Sequence, residues 1–167
     1  MERVEERITT DRLELLPVVP DDVPAIAALR MDPDVRQFLG GVLDAQAAQE
    51  RARSVVGTTG YWAVREPGEP SVVGLISLTP RGETLELSYE IATPYWGRGI
   101  ANEAAAAVLA RCGSEERVVA ITQAKNRASR RLLERLGFIE RERFTEFSEE
   151  QCLYERPLVE GPSTGTG

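Results

Sequence analysis

From Leu85 to Ile91 the chain alternates strictly, with Leu85, Leu87, Tyr89 and Ile91 apolar and Glu86, Ser88 and Glu90 polar. A period of two predicts a β-strand with one face on the core and the other wet. Tyr61 to Arg65 and Val72 to Leu78 are apolar runs of strand length. Turn-forming segments, Pro67-Gly68-Glu69-Pro70 and Arg81-Gly82-Glu83, join all three into a predicted meander. Upstream, Arg12 to Val18 reads as a first strand, and Asp21 or Asp22 opens a short helix with Val23, Ile26, Ala27 and Leu29 on its apolar face. Pro33 suits the first turn of a second short helix running to Leu39, and Ala48, Ala52, Val55 and Val56 mark one face of a third.

Downstream of Ile91 the period changes. An Ala-rich stretch, Asn102 to Cys112, predicts a helix, and Val118 to Ile121 a buried strand. Leu132, Leu133 and Leu136 then recur at helical spacing, with Asn126 placed to cap the start and Gly137 the end. Ile139 to Phe147 and Gln151 to Pro157 read as a closing hairpin. Gly161 to Gly167 contains no apolar residue and is expected to be disordered. The pattern is an α/β chain without repeats, forming one domain over residues 1–160 with a tail at 161–167.

Chemistry concentrates in the link between the alternating strand and the Ala-rich helix, Trp96-Gly97-Arg98-Gly99-Ile100-Ala101. A strand ending in a glycine turn that feeds a helix leaves several backbone N–H groups aimed at one place, backed by the positive end of the helix. Gly97 and Gly99 lack a Cβ, so backbone and anion can approach closely. A simple strand-to-helix connection would use the same glycines, and the spacing alone leaves that reading open. A second strand-turn-helix follows, carrying Asn126-Arg127-Ala128-Ser129 at its turn.

Composition narrows the picture. With 20 basic against 27 acidic residues the net charge is −7, which disfavours nucleic acid as a partner. It is compatible with an amine or a basic peptide as substrate. Cys112 and Cys152 are too few for a disulfide framework or a metal cluster, so thiols in a reducing cytoplasm and no metal are expected. No run of 18 apolar residues and no charged-then-apolar leader is present, which predicts neither a membrane span nor a secretory signal. There is no histidine, so any proton transfer must use carboxylates, hydroxyls or water.

The paired strand-turn-helix units resemble the acyl-CoA core of the GCN5-related N-acetyltransferase (GNAT) superfamily, in its RimJ/RimL-like ribosomal-protein N-terminal acetyltransferase branch. The phosphate motif of that family maps onto Trp96, Gly99 and Ala101, with Trp96 departing from the general pattern in the manner of this branch. The second signature maps onto Asn126, Ser129, Leu133 and Gly137-Phe138, and Thr10-Asp11-Arg12-Leu13-Glu14-Leu15, Pro20-Asp21-Asp22 and Asp32-Pro33-Asp34-Val35 match the opening of the branch. The resemblance covers residues 8–158. It implies a mixed, mostly antiparallel sheet flanked by helices, with a splayed central strand pair that admits acetyl-CoA and an amine.

What the resemblance implies for the site is correspondingly specific. Ile91, Trp96, Gly97, Arg98, Gly99, Ile100, Ala101, Asn102, Asn126, Ser129 and Arg131 would hold acetyl-CoA, with Arg98, Arg127, Arg130 and Arg131 as candidates for its 3′-phosphate. Attack by an amine requires loss of a proton, and Glu90 is the first candidate to take it, with Glu146 and Glu149 behind. Many members of the superfamily place an acidic tyrosine where this chain has Leu133; Ser129 is the usual substitute in this branch and would meet the sulfur. Each residue also has a plainer reading: Glu90 as a charge on a solvated sheet face, Asn126 as a helix cap, Ser129 as a first-turn residue bonding local backbone. The expected reaction is acetyl transfer to a primary amine, at a protein or peptide N-terminus, by direct attack in a ternary complex formed by a monomer or homodimer. Alternatives are a polyamine or aminoglycoside acetyltransferase and a non-catalytic acyl-CoA-binding domain.

Overall fold

The computed structural model describes residues 7–113 and 115–158; the tail expected to be disordered, 161–167, lies outside them. Eight strands form one sheet: β1 (Ile8–Thr9), β2 (Glu14–Pro17), β3 (Tyr61–Arg65), β4 (Val72–Arg81), β5 (Thr84–Ile91), β6 (Val118–Gln123), β7 (Ile139–Glu146) and β8 (Glu149–Glu155). Their order is β1-β2-β3-β4-β5-β6-β8-β7, and every neighbouring pair is antiparallel except β5 and β6, which run parallel. The helices are α1 (Val23–Met31), α2 (Ala45–Ser54), α3 (Ile100–Leu109) and α4 (Arg127–Arg135).

The alternation in β5 decides which helices cover which face. Leu87 and Ile91 pack with Ile76, Leu78, Ile100, Ala104 and Val108 under α3, and Leu133 joins this cluster from α4. On the other face Ala63 and Leu75 meet Val23, Ile26, Ala27, Ala48 and Ala52 of α1 and α2. A slip of one residue would drive Glu86, Ser88 and Glu90 into the α3 core, so burial fixes the register.

Several predicted elements shift. α3 begins at Ile100, two positions before the predicted Asn102, because Gly99 already adopts φ 74° as its N-cap. The helix predicted from Pro33 to Leu39 is a succession of turns. Asp32 Oδ1 accepts from the Asp34 amide at 2.8 Å, and Arg36 Nε donates to Gly41 O at 2.8 Å. These local bonds compete with helix propagation. The face of β5 expected to be wet is largely covered at its C-terminal end, where α1 and these turns bury the Glu90 side chain to 11% exposure.

The far end of β5 is located by a close backbone approach. Gly74 pairs with Ile91, and a Cβ at Gly74 would lie 2.6 Å from Glu90 O and 2.6 Å from Ile91 Cδ1. Only glycine lets β4 hold β5 there without displacing the backbone. Asp22 is 2% exposed, accepts from the Val19 amide at 3.0 Å and forms an ion pair with Arg65, tying the start of α1 to β3.

Candidate functional site

Between β5 and β6 the sheet opens. The two strands pair only at Leu85 with Val118 and Glu86 with Val119. Beyond that point β5 stays bonded to β4 as far as Ile91, while β6 stays bonded to β8 through Gln123. Each strand keeps its outer partner and loses its inner one, which leaves backbone donors and acceptors on a sheet edge inside the molecule. The splayed central pair expected from the resemblance is present at this seam.

A cavity of about 640 Å³ occupies the seam and runs to the glycine turn. The size is in the range of sites for cofactors and small molecules. Leu87 to Ile91 line it from β5, Ala120 to Thr122 from β6, Asn126 and Ser129 from the start of α4, and Val35, Phe38 and Leu39 from the turns after α1.

At the turn, a short 3-10 segment, Thr93–Tyr95, carries the chain away from β5. Trp96 lines the cavity, and its indole N–H donates to Ile91 O at 2.7 Å, fastening the turn to the end of the strand. Gly97 and Gly99 both have positive φ, 75° and 74°. The first helix-type bond of α3 runs from the Glu103 amide to Gly99 O at 3.0 Å, so the amides just before it have no carbonyl of the preceding turn to donate to. Gly97, Gly99, Ile100, Ala101 and Asn102 line the cavity here. A pyrophosphate fits this donor set: left-handed glycines, uncommitted first-turn amides and the positive end of α3.

A polar clamp shapes the turn from behind. Arg12 Nη1 donates to Arg98 O at 2.8 Å and Arg12 Nε to Glu103 Oε1 at 2.8 Å, while the Thr10 hydroxyl donates to Glu103 Oε2 at 2.6 Å. Burial works to raise the Glu103 carboxyl, but the Thr10 and Arg12 hydrogen bonds outweigh it and hold the group below the ordinary carboxylate value. The sequence reading gave no part to Thr10, Arg12 or Glu103 in the turn. The pairing joins the β1–β2 link to α3, about 90 residues on, and no local pattern signals it.

Ser129 lies in the first turn of α4, where its amide donates to Asn126 Oδ1 at 3.2 Å. Asn126 is therefore the helix cap, with its side-chain amide N–H groups not used in that bond. Ser129 Oγ is 2.7 Å from the Tyr89 hydroxyl. Burial raises the Tyr89 phenol above its ordinary value, with the Ser129 hydrogen bond opposing, so Tyr89 is a proton-bearing phenol at neutral pH. Alternation had marked Tyr89 only as a core residue; its partner is on another element, so its hydroxyl had no visible role.

Of the residues expected around acetyl-CoA, Ile91, Trp96, Gly97, Gly99, Ile100, Ala101, Asn102, Asn126, Ser129 and Arg131 all line this one cavity. Arg98 is not on its wall; its guanidinium lies over the Tyr95 ring, 5.3 Å from the centroid. Arg130 is engaged elsewhere, donating to the Tyr154 hydroxyl at 3.1 Å and to Ala124 O at 3.2 Å. Glu149 pairs with Lys125 at 2.7 Å, and Glu146 is on β7, both away from the cavity wall.

Glu90 lines the cavity but is no solvated surface charge. Its carboxylate faces Arg36 Nη1 at 3.7 Å and Arg30 Nε at 3.9 Å, and both arginine side chains are comparably buried. Burial lowers Arg36 below its ordinary value; Glu90 opposes this, and Arg30 and Arg51 add to it. A second cavity, about 200 Å³, opens on the α1 side of β5 and shares Ser88, Tyr89 and Glu90 with the first.

The acetyltransferase (GNAT) domain pattern matches residues 12–139, and the chain belongs to that family. It is 27% identical over 146 residues to the uncharacterized N-acetyltransferase YoaA of Bacillus subtilis (strain 168), a match covering 78% of this chain and 81% of that protein. Among solved structures, an acetyltransferase (GNAT family) from Bacillus anthracis shares the fold with a TM-score of 0.81 at 24% identity, over 90% of this chain and 97% of that one. The ribosomal-protein-S5-alanine acetyltransferase from Vibrio fischeri shares it with a TM-score of 0.76 at 16% identity, over 92% and 97% of the two chains. The mixed sheet with its opened β5–β6 seam is thus the GNAT fold.

Proposed function

We propose that this acetyltransferase moves the acetyl group of acetyl-CoA to the primary amine of a protein or peptide N-terminus, by direct attack with both substrates bound. The single observation that carries the reading is the continuity of the large cavity, from the uncommitted amides at Gly97 to Asn102 through the β5–β6 seam to the Tyr89–Ser129 pair. The ribosomal-protein-S5-alanine acetyltransferase that shares the fold is by its name an enzyme with a protein acceptor, and the present reading gives this chain an acceptor of that class.

When bound, acetyl-CoA supplies an activated thioester carbonyl. The turn at Gly97 to Ala101 and the positive end of α3 hold its pyrophosphate. The exposed backbone edge of β5 and the Asn126 side chain orient the pantetheine arm. Glu90, on the wall shared by both cavities, receives the proton of the incoming amine. Ser129 Oγ would donate a proton to the departing sulfur and be resupplied by the Tyr89 hydroxyl 2.7 Å from it, Tyr89 regaining its proton from solvent as Glu90 releases the amine proton to solvent. A hydroxyl pair replaces the tyrosine for which Leu133 leaves no place.

Thiol release from acetyl-CoA, followed against peptide N-termini, polyamines and aminoglycosides with CoA affinity measured in parallel, tests this. Turnover on peptide N-termini is expected. Preference for polycations would reassign the acceptor, tight CoA binding without turnover would make the domain an acyl-CoA sensor, and absence of CoA binding would overturn the reading.

A further inference from the structure

Arg12 reaches from the β1–β2 link onto the start of α3 and is held there by main chain and side chain together. Its amide donates to Glu103 Oε2 at 3.1 Å, its Nε donates to Glu103 Oε1 at 2.8 Å, and its Nη1 donates to Arg98 O at 2.8 Å. Glu103 is itself tied to the turn, because its amide donates to Gly99 O at 3.0 Å. The guanidinium thus bridges the first turn of α3 and the carbonyl between Gly97 and Gly99, using the fixed fork of donors that a lysine lacks. Neither Arg12 nor Arg98 is on the wall of the large cavity, whereas Gly97 and Gly99 are. An ion pair whose arginine side chain is 53% exposed contributes little to stability, so the orientation it imposes is the larger consequence.

The Arg98–Gly99 peptide is trans and planar, so its carbonyl and its N–H point in opposite directions. Arg12, off the wall, holds the carbonyl on the side away from the cavity. From this we infer that Arg12 is a positioning residue for the cofactor: by fixing Arg98 O behind the turn, it aims the Gly99 N–H into the cavity as a donor to the pyrophosphate of acetyl-CoA. Rotation of this peptide plane changes ψ of Arg98 and φ of Gly99, and glycine accepts either sign of φ, so residue 99 does not by itself fix the plane. A flipped plane would present the Arg98 carbonyl, an acceptor, to the phosphates and repel them. The same guanidinium neutralises Glu103, the acidic residue in the first turn of α3. The inference rests on the proposed acetyl-CoA site and adds the residue that sets the direction of one of its donors.

The test compares CoA with pantetheine, which lacks the pyrophosphate and nucleotide, by NMR titration of the free protein, and acetyl-CoA with S-acetylpantetheine by kcat/KM. The parent should prefer CoA, and its Gly99 amide resonance should move with CoA and not with pantetheine. Arg12→Leu should weaken CoA by about 10- to 100-fold, the range for one hydrogen bond to a charged group, leave pantetheine unchanged and reduce the Gly99 shift at saturation. Arg12→Lys, which keeps the charge and loses the fork, should lose part of the preference, and it decides by the same ratio if Arg12→Leu does not fold. A merely structural role would lower both ligands together, so an equal fall in CoA and pantetheine overturns the inference, as does an unchanged CoA affinity. Glu103→Gln separates the effect of charge. In that background Arg12→Leu should still weaken CoA, and no further loss would reduce Arg12 to a counter-charge and overturn its part in aiming the peptide. A parent that binds CoA no better than pantetheine, or not at all, instead overturns the acetyl-CoA site on which the inference rests.

Discussion

The Tyr89 hydroxyl and Ser129 Oγ lie 2.7 Å apart across the β5–β6 seam, one on the strand and the other on the first turn of α4. The two residues are 40 positions apart in sequence. In the proposed reaction this contact would return a proton to sulfur in a chain that has no histidine.

Removing either hydroxyl should therefore slow chemistry and spare binding. Tyr89→Phe and Ser129→Ala are each expected to lower kcat by about 10²-fold, the lower end of a positioned acid's contribution, with CoA affinity unchanged by calorimetry. The double variant should be scarcely worse than either single one, because the two act as a unit. Burial raises the Tyr89 phenol, so its proton is retained up to about pH 10 and lost only above. The alkaline fall of kcat assigned to Tyr89 should accordingly lie beyond pH 10. An unchanged kcat in both variants would remove the pair from the mechanism.

Gly99→Val tests the turn. At φ 74° a β-branched residue costs on the order of 1–3 kcal/mol, and its Cβ would sit 3.5 Å from Arg12 Nη2. Loss of CoA binding is expected together with a Tm lower by several degrees. Gly68→Val is the control, since φ there is 78° with nothing within 4 Å of the added Cβ, in the β3–β4 turn. It should lower Tm comparably and leave CoA affinity intact. Retained affinity in Gly99→Val would place the phosphates elsewhere.

Glu103 predicts an acid-sensitive step in stability. Its folded-state carboxyl is held below the unfolded value by Thr10 and Arg12 against the opposing effect of burial. The stabilisation is therefore present above the unfolded value, about 4.5, and is lost as pH falls through the lower folded value. Glu103→Gln should be less stable than the parent at pH 7, and the difference in urea midpoints should shrink on acidification below about pH 5. A difference that does not vary with pH would show that the charge of Glu103 contributes nothing to the clamp.

Much of the fold was legible in the residue pattern. The meander from Tyr61 to Ile91 and the Asn126-capped helix followed from local periodicity and capping, which act within a few residues. The predicted helix at Pro33 failed because Asp32 and Arg36 bond the nearby backbone, a competition that periodicity does not register. Gly97 and Gly99 were readable as a glycine turn between strand and helix, but the Arg12–Glu103 clamp behind it was not.

Glu90 shows the division most clearly. Its alternation with Tyr89 fixed that the two side chains leave opposite faces of one strand, because the pleat allows nothing else. Sequence thus determined the strand, its two faces, the glycine turn and the absence of histidine. Only the tertiary structure decided that Tyr89 meets Ser129 and that Glu90 is enclosed by Arg30 and Arg36. Those contacts join residues far apart in the chain, and they depend on which strands remain paired where β5 and β6 part, a property of the whole sheet and of no segment within it.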